Sequence, residues 1–103
     1  MTPRRVVTTE RADEDIVSAV AYYVECGASD AALRLVDALE EGRNLLAEHP
    51  AIGSPRLAVE TGVPELRSLA LQRFPYLLLY ADDPDAVRVL HTRREIPAEL
   101  VEQ

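Results

Sequence analysis

The chain has 103 residues, 48% of them hydrophobic and 28% charged. That length supports one core and so a single domain over 1–103, and no apolar run approaches the roughly 20 residues of a membrane-spanning helix. A formal charge of −7, from 18 acidic residues against 11 arginines with no lysine, opposes non-specific binding to a phosphate backbone and favours a basic partner surface.

Met1-Thr2-Pro3-Arg4-Arg5 is basic but has no apolar segment of signal-peptide length behind it. Cys26 is the sole cysteine, which excludes an internal disulfide and a multi-cysteine zinc site. Both features fit a reducing, cytoplasmic setting.

Arg4 to Thr9 reads as a short strand, with β-branched residues at four consecutive positions. An acidic stretch from Glu10 through Asp13-Glu14-Asp15 suits the first turn of a helix, where carboxylates face the positive end of the dipole. Ile16, Ala19, Val20 and Tyr23 then share one helical face, and Gly27 is the expected terminator. Ser29 is the expected N-cap of a second helix, in which Ala32, Leu35, Val36, Leu39, Arg43 and Leu46 recur at helical spacing until Pro50. The short connection makes the pair an antiparallel hairpin, and Gly42 in its second helix marks a close approach by something packed against it.

His49 to Pro55 is a linker stiffened by two prolines, with Gly53 as its hinge. Arg56–Glu60 and Glu65–Leu71 are strand candidates; in the second, the alternation leaves open which face is inward. Tyr76–Tyr80 has the apolar density of a central strand buried on both faces, and Ala86–His91 follows it after the turn Asp82-Asp83-Pro84-Asp85. Pro97 suits the first turn of a short terminal helix, and the alternative expectation for residues 98–103 is a flexible tail. The expected order is strand, helix, helix, then four strands.

Few residues suggest chemistry. His49 and His91 are the only imidazoles, neither with a ligand pattern around it, so no metal or cofactor is expected. Isolated glycines exclude a phosphate loop, and no nucleophile elbow is present. The constellation of interest is Arg67, Arg73, Arg88, His91, Arg93 and Arg94, whose guanidiniums suit a phosphate, a carboxylate or a partner helix. Arginine is a poor general base, so any RNA cleavage needs His91 or a tyrosine to move protons.

Certain stretches carry a resemblance: Asp15-Ile16 with Ala21-Tyr22-Tyr23; Ala32, Leu35 and Leu39-Glu40; Leu46 with His49-Pro50 and Ile52-Gly53; Glu65-Leu66-Arg67; Arg73-Phe74-Pro75-Tyr76 with Tyr80; and Val89-Leu90-His91 with Arg94, Ile96 and Pro97. In this order, over about residues 5–97, they resemble the toxins of the ParE branch of the ParE/RelE superfamily. The resemblance implies an α/β (α+β) fold: an amino-terminal strand, an antiparallel helical hairpin and a three- to four-stranded, mainly antiparallel sheet.

It also implies a type II toxin that forms a hetero-oligomer with a cognate antitoxin, itself a DNA-binding protein with an amphipathic carboxy-terminal segment. The toxin itself would contact neither DNA nor membrane. ParE-branch toxins typically inhibit DNA gyrase, whereas the RelE branch cleaves messenger RNA on the ribosome. The RNA-cleaving branch places lysines on the strand before the central one, where this chain has Ser68 and Ala70, and an arginine at the position of Leu77; its carboxy-terminal tyrosine has no counterpart near Glu99. The expected protein is therefore a gyrase inhibitor without a catalytic site. Its target would be met by Arg93, Arg94, Ile96, Pro97 and Leu100, and the antitoxin groove lined or supported by Tyr22, Arg67, Phe74, Tyr76 and Tyr80. The alternatives are a RelE-like ribonuclease using His91, Arg93 and Arg94, and a non-toxic interaction module. The acidic balance and the short turn Ala81–Asp85 depart from the usual pattern of the branch.

Overall fold

A computed structural model describes residues 4–94; the expected helix at Pro97, the tail 98–103, and Ile96, Pro97 and Leu100 lie outside the described residues. The elements are β1 (Val6–Thr8), α1 (Glu10–Glu25), α2 (Ser29–Glu48), α3 (Arg56–Thr61), β2 (Leu66–Ala70), β3 (Tyr76–Asp82) and β4 (Val87–Arg94). One four-stranded sheet has the order β1-β4-β3-β2, antiparallel except where β1 runs parallel to β4.

Thr9 starts α1: its backbone is extended and its hydroxyl accepts from the Ala12 amide at 3.1 Å, with Glu10 and Asp13 in the first turn. At the other end Gly27 takes φ 76, the Ala28 amide reaches back to the Tyr23 carbonyl at 2.8 Å, and the Gly27 amide to Val24 at 3.0 Å. This is the paired hydrogen-bond pattern of a Schellman ending, which glycine adopts without Cβ strain. It turns the chain so tightly that α2 begins at once. Ala28, without a side-chain cap, takes the N-cap place expected of Ser29, which becomes the first helical residue.

The inward face of α2 is Ala32, Leu35, Ala38, Gly42 and Leu46. Val36 and Arg43, expected on that face, lie at its margin instead: Val36 is 38% exposed, and Arg43 is exposed with Nη2 donating to the Val6 carbonyl at 3.0 Å. Gly42 does mark a close approach. A Cβ there would lie 3.2 Å from both Leu71 Cδ2 and Leu78 Cδ1, so the helix rests directly on the sheet.

Arg56–Glu60 forms α3, not the expected strand. Strand alternation would pair Leu57 with Val59, but Leu57 and Ala58 are both buried while Val59 is 92% exposed. Helical spacing puts Leu57, Ala58 and Thr61 together, and the Thr61 hydroxyl donates to the Leu57 carbonyl at 2.8 Å. Pro55 supplies a suitable φ of −84 at the N-cap, and Gly62 closes the turn at φ 74. Six residues are too few to reveal this by periodicity.

β3 is buried from Tyr76 to Ala81 because the sheet is covered on both sides. Its helical-hairpin side carries Val6, Leu78, Tyr80, Val87 and Val89 against Ala12, Ala19, Leu35 and Leu46. On the other side Leu66, Leu77 and Leu79 pack with Leu57 and Ala58 of α3. Register resolves β2: Leu66, Ser68 and Ala70 stand across from Ala81, Leu79 and Leu77, whereas Arg67 and Leu69 stand across from Tyr80 and Leu78.

Candidate functional site

The arginine constellation divides. Arg93 and Arg94 stand across from Leu77 and Tyr76, at the end of the sheet where β2 turns into β3 through Arg73. Arg93 is exposed. Arg73 has φ 68, the described non-glycine residue in the left-handed region. Arg88 belongs to the other end, where its Nε donates to Asp83 Oδ2 at 3.0 Å, beside the Arg4–Asp82 pair at 2.8 Å.

Arg67 holds the linker. Its Nη1 donates to the carbonyls of Gly53 at 2.8 Å and Ala51 at 3.2 Å. From the neighbouring strand the Tyr80 hydroxyl donates to the Pro50 carbonyl at 2.7 Å and accepts from the Gly53 amide at 2.8 Å. Ser54 and Ser68 exchange backbone bonds at 2.8 and 2.9 Å and extend the lock. Burial pushes the Tyr80 phenol above the ordinary tyrosine value, against the smaller opposing effects of the Gly53 amide and the Arg67 charge. Tyr80 is fully buried and Tyr76 is 7% exposed. Tyr80 holds the linker in place through its bonds to Pro50 and Gly53. Phe74 and Tyr22 lie nearer the surface, and both meet the edge or face of Tyr23, at ring distances of 5.7 and 5.4 Å.

His91 has a partner that sequence reasoning missed. Asp15 Oδ2 accepts from the Thr92 amide at 3.1 Å and lies against His91 Nδ1 without the alignment of a hydrogen bond. Asp15 Oδ1 accepts from Arg11 Nε at 3.1 Å. One carboxylate thus ties α1 to β4 just past a β-bulge, where pairing passes from Leu79↔His91 to Tyr80↔Val89 and leaves Leu90 extra. The available signal was positional: Asp15 adjoins Ile16 on the rim of the apolar face of α1.

Among the described residues no three His, Cys, Asp or Glu side chains are arranged to hold a metal, and no helix is long and apolar enough to cross a membrane. A groove of about 150 Å³ lies between α1 and α2, and a shallower apolar strip runs along α1.

Comparison with known proteins decides the family. The model of the ParE toxin of the type II toxin-antitoxin system, parDE, matches residues 6–96. The chain belongs to the ParE toxin family. A solved structure described as the chromosomal ParDE TA system from P. aeruginosa superposes with a TM-score of 0.75, covering 90% of this chain and 97% of that one at 22% identity. At that identity the likeness concerns the fold: the strand, the helical hairpin and the sheet packed on it are shared. No curated protein matches. Within this ParE-family fold, the motif residues Pro50, Gly53, Arg67 and Tyr80 form one network, which accounts for their joint presence by architecture.

Proposed function

We propose that this ParE-family chain is a toxin that inhibits DNA gyrase by binding it, with no catalytic step of its own, and that a cognate antitoxin neutralises it. The observation that carries the reading is the apolar side of the sheet beneath α3. Ser68 is 5% exposed, and Leu77 and Leu79 are each 6% exposed, packed with Leu57, Ala58 and Leu66. The RNA-cleaving branch would present lysines at Ser68 and Ala70 and an arginine at Leu77; here Ser68 is buried, Ala70 is exposed but uncharged and Leu77 lies in the leucine cluster, so a scissile phosphate meets no cation at these positions. Target contact then falls to the end of β4, where Arg93 is exposed, with Arg94 and the residues that follow, Ile96, Pro97 and Leu100. Purified gyrase supplies the test. Supercoiling should fall as folded toxin is added, and undiminished supercoiling at a stoichiometric excess would overturn the reading.

One observation favours the ribonuclease alternative. The Asp15 carboxylate lies beside Nδ1 of His91, the side on which a general-base histidine is held by its carboxylate, although the contact here is not aligned as a hydrogen bond. That reading requires ribosome-dependent cleavage of messenger RNA that disappears in His91→Ala, and intact transcripts with the unaltered chain would remove it.

A further inference from the structure

We infer that the cleft between α2 and the turn joining β2 to β3 binds a short peptide zwitterion, taking its carboxylate on Arg34 and Arg73 and its ammonium group on Glu41. The cleft has a volume of about 490 Å³, within the range of small-molecule sites. Its walls are Arg34, Asp37 and Glu41 from the helix and Gln72, Arg73 and Phe74 from the turn. Helical spacing sets the three charged residues of α2 on one face, and the small, buried Ala38 between them leaves the cleft its depth.

Folding accounts for neither set of charges. Arg73 has φ 68, a conformation that strains an arginine and suits glycine, and its side chain has no hydrogen bond or ion pair among the described residues to offset that strain. Backbone strain of this kind clusters at positions that hold a ligand. Asp37 and Glu41 are four residues apart on α2, a spacing at which like charges repel. Neither has an ion pair among the described residues, and Arg34 has none either. Two guanidiniums and two carboxylates therefore line one cleft, each without a charged partner among the described residues.

The arrangement selects the ligand. Two acids on one wall disfavour a polyanion and two arginines disfavour a polycation, so the occupant carries both signs. Leu71 packs at Gly42, beside Glu41, whereas Phe74 meets Tyr23 near the end of α1, so the turn runs from the Glu41 end of the cleft toward the Arg34 end. Arg34 and Glu41 are seven residues apart, about 10 Å along the helix axis. Three extended residues at about 3.3–3.6 Å each span the same distance. A tripeptide laid along the cleft thus puts its carboxylate at Arg34 and Arg73, where a guanidinium binds it through two parallel bonds, and its ammonium group at Glu41. Beyond Glu41 a second recess of about 230 Å³ continues between α2 and β2 over Leu45, Leu69 and Leu71, and it favours an apolar side chain on the first residue.

The probe is Leu-Gly-Gly, titrated into the nitrogen-15-labelled full-length protein and followed by amide chemical shifts. Saturable binding with a Kd below about 1 mM is expected, with the shifts centred on residues 34–45 and 69–74. N-acetyl-Leu-Gly-Gly and Leu-Gly-Gly amide should each bind about ten-fold more weakly or worse, the loss of one charge-assisted contact. Arg73→Gly relieves the strain, so it should fold as well as the parent and still lose about ten-fold or more in affinity. Glu41→Gln should bind Leu-Gly-Gly and its N-acetyl form alike, because the group that reads the ammonium is gone. A Kd above about 1 mM, shifts centred elsewhere, capped peptides that bind like the zwitterion, or an Arg73→Gly protein that binds like the parent would overturn the inference. Gyrase takes no part in these titrations, so the loss of the gyrase reading would leave their result standing.

Discussion

The Tyr80 hydroxyl and the Gly53 amide form a hydrogen bond of 2.8 Å inside the protein, and the same hydroxyl donates to Pro50 at 2.7 Å. A Cβ at position 53 would lie 2.6 Å from that oxygen and 2.9 Å from the Ser68 carbonyl. The glycine is therefore required by space and not by φ. Neither obstacle moves easily: one is a fully buried ring, the other is backbone. Gly53→Ala is expected to destabilise the fold by about 1–3 kcal/mol, the usual range for overpacking. Tyr80→Phe, which leaves the Gly53 amide and Pro50 carbonyl without their partner, should lose about 1–3 kcal/mol. Urea denaturation of the two variants checks both, and a double variant should fall short of the sum because the residues share one network.

The same contact sets a response to alkali. Burial raises the Tyr80 pKa in the folded state above its unfolded value of about 10. Above that value the native state holds a proton that the unfolded state has released, so rising pH favours unfolding. The contribution is fully present below about pH 10 and is lost as pH climbs through the folded-state value. Denaturation midpoints measured between about pH 8 and about pH 11 should fall more steeply in the parent than in Tyr80→Phe. Equal slopes would show that the phenol is not held protonated by the fold.

Asp15 predicts a separation between two neighbouring substitutions. Its carboxylate is mostly buried and accepts the Thr92 amide, so Asp15→Ala leaves a backbone donor unpaired and should destabilise by about 1–3 kcal/mol. Besides His91, the carboxylate meets Arg11, whose side chain is 67% exposed, and such a pair is largely screened by solvent. Arg11→Ala is expected to change stability by less than about 0.5 kcal/mol. Thermal melts distinguish the two, and an equal loss from both would mean that the anchor is the surface pair and not the β4 amide.

Arg73 offers a substitution in the opposite direction. A non-glycine residue in the left-handed region carries about 1–2 kcal/mol of backbone strain, and glycine relieves it while losing about 0.5–1 kcal/mol in unfolded-state entropy. Arg73→Gly should therefore be neutral to stabilising by about 1 kcal/mol. A loss of stability would show that the Arg73 side chain makes a contact worth more than the strain it imposes.

The sequence made legible those elements whose signals are local. Gly27 ends α1 where its freedom of φ predicts, and Ala19, Val20 and Tyr23 turn inward, with Ile16 at the margin, because sixteen residues of helix give the 3.6 period room to appear. The density of apolar residues from Tyr76 to Tyr80 likewise reflects a strand covered on both sides. What escaped depends on contacts distant in sequence. Leu57 and Ala58 fold as helix because a leucine surface on β2 and β3 awaits two adjacent side chains. Asp15 acquires meaning only from Thr92, 77 residues away. Tyr80 carries the family motif in full view, yet only the Pro50 and Gly53 bonds show that its role is internal.

Leu77 supplies the substitution that bears most directly on mechanism. The RNA-cleaving branch places an arginine at this position, but here the side chain is 6% exposed and packed with Leu57, Ala58, Leu66 and Leu79. Leu77→Arg would bring a guanidinium into a cluster with no carboxylate among its packed members. The result is either an unpaired buried charge or displacement of α3 as the side chain seeks water. A loss of about 3 kcal/mol or more is expected, with no ribonuclease activity gained, since the neighbouring Ser68 and Ala70 contribute no cation. Amide hydrogen exchange should show the damage first in α3, whose hold on the sheet is this cluster, while α1 and α2 on the opposite side keep their protection. A folded Leu77→Arg protein with α3 still protected and new ribosome-dependent cleavage would mean that the sheet is a disabled nuclease surface, one arginine short of activity, and would reverse the assignment of this chain to a binding mechanism.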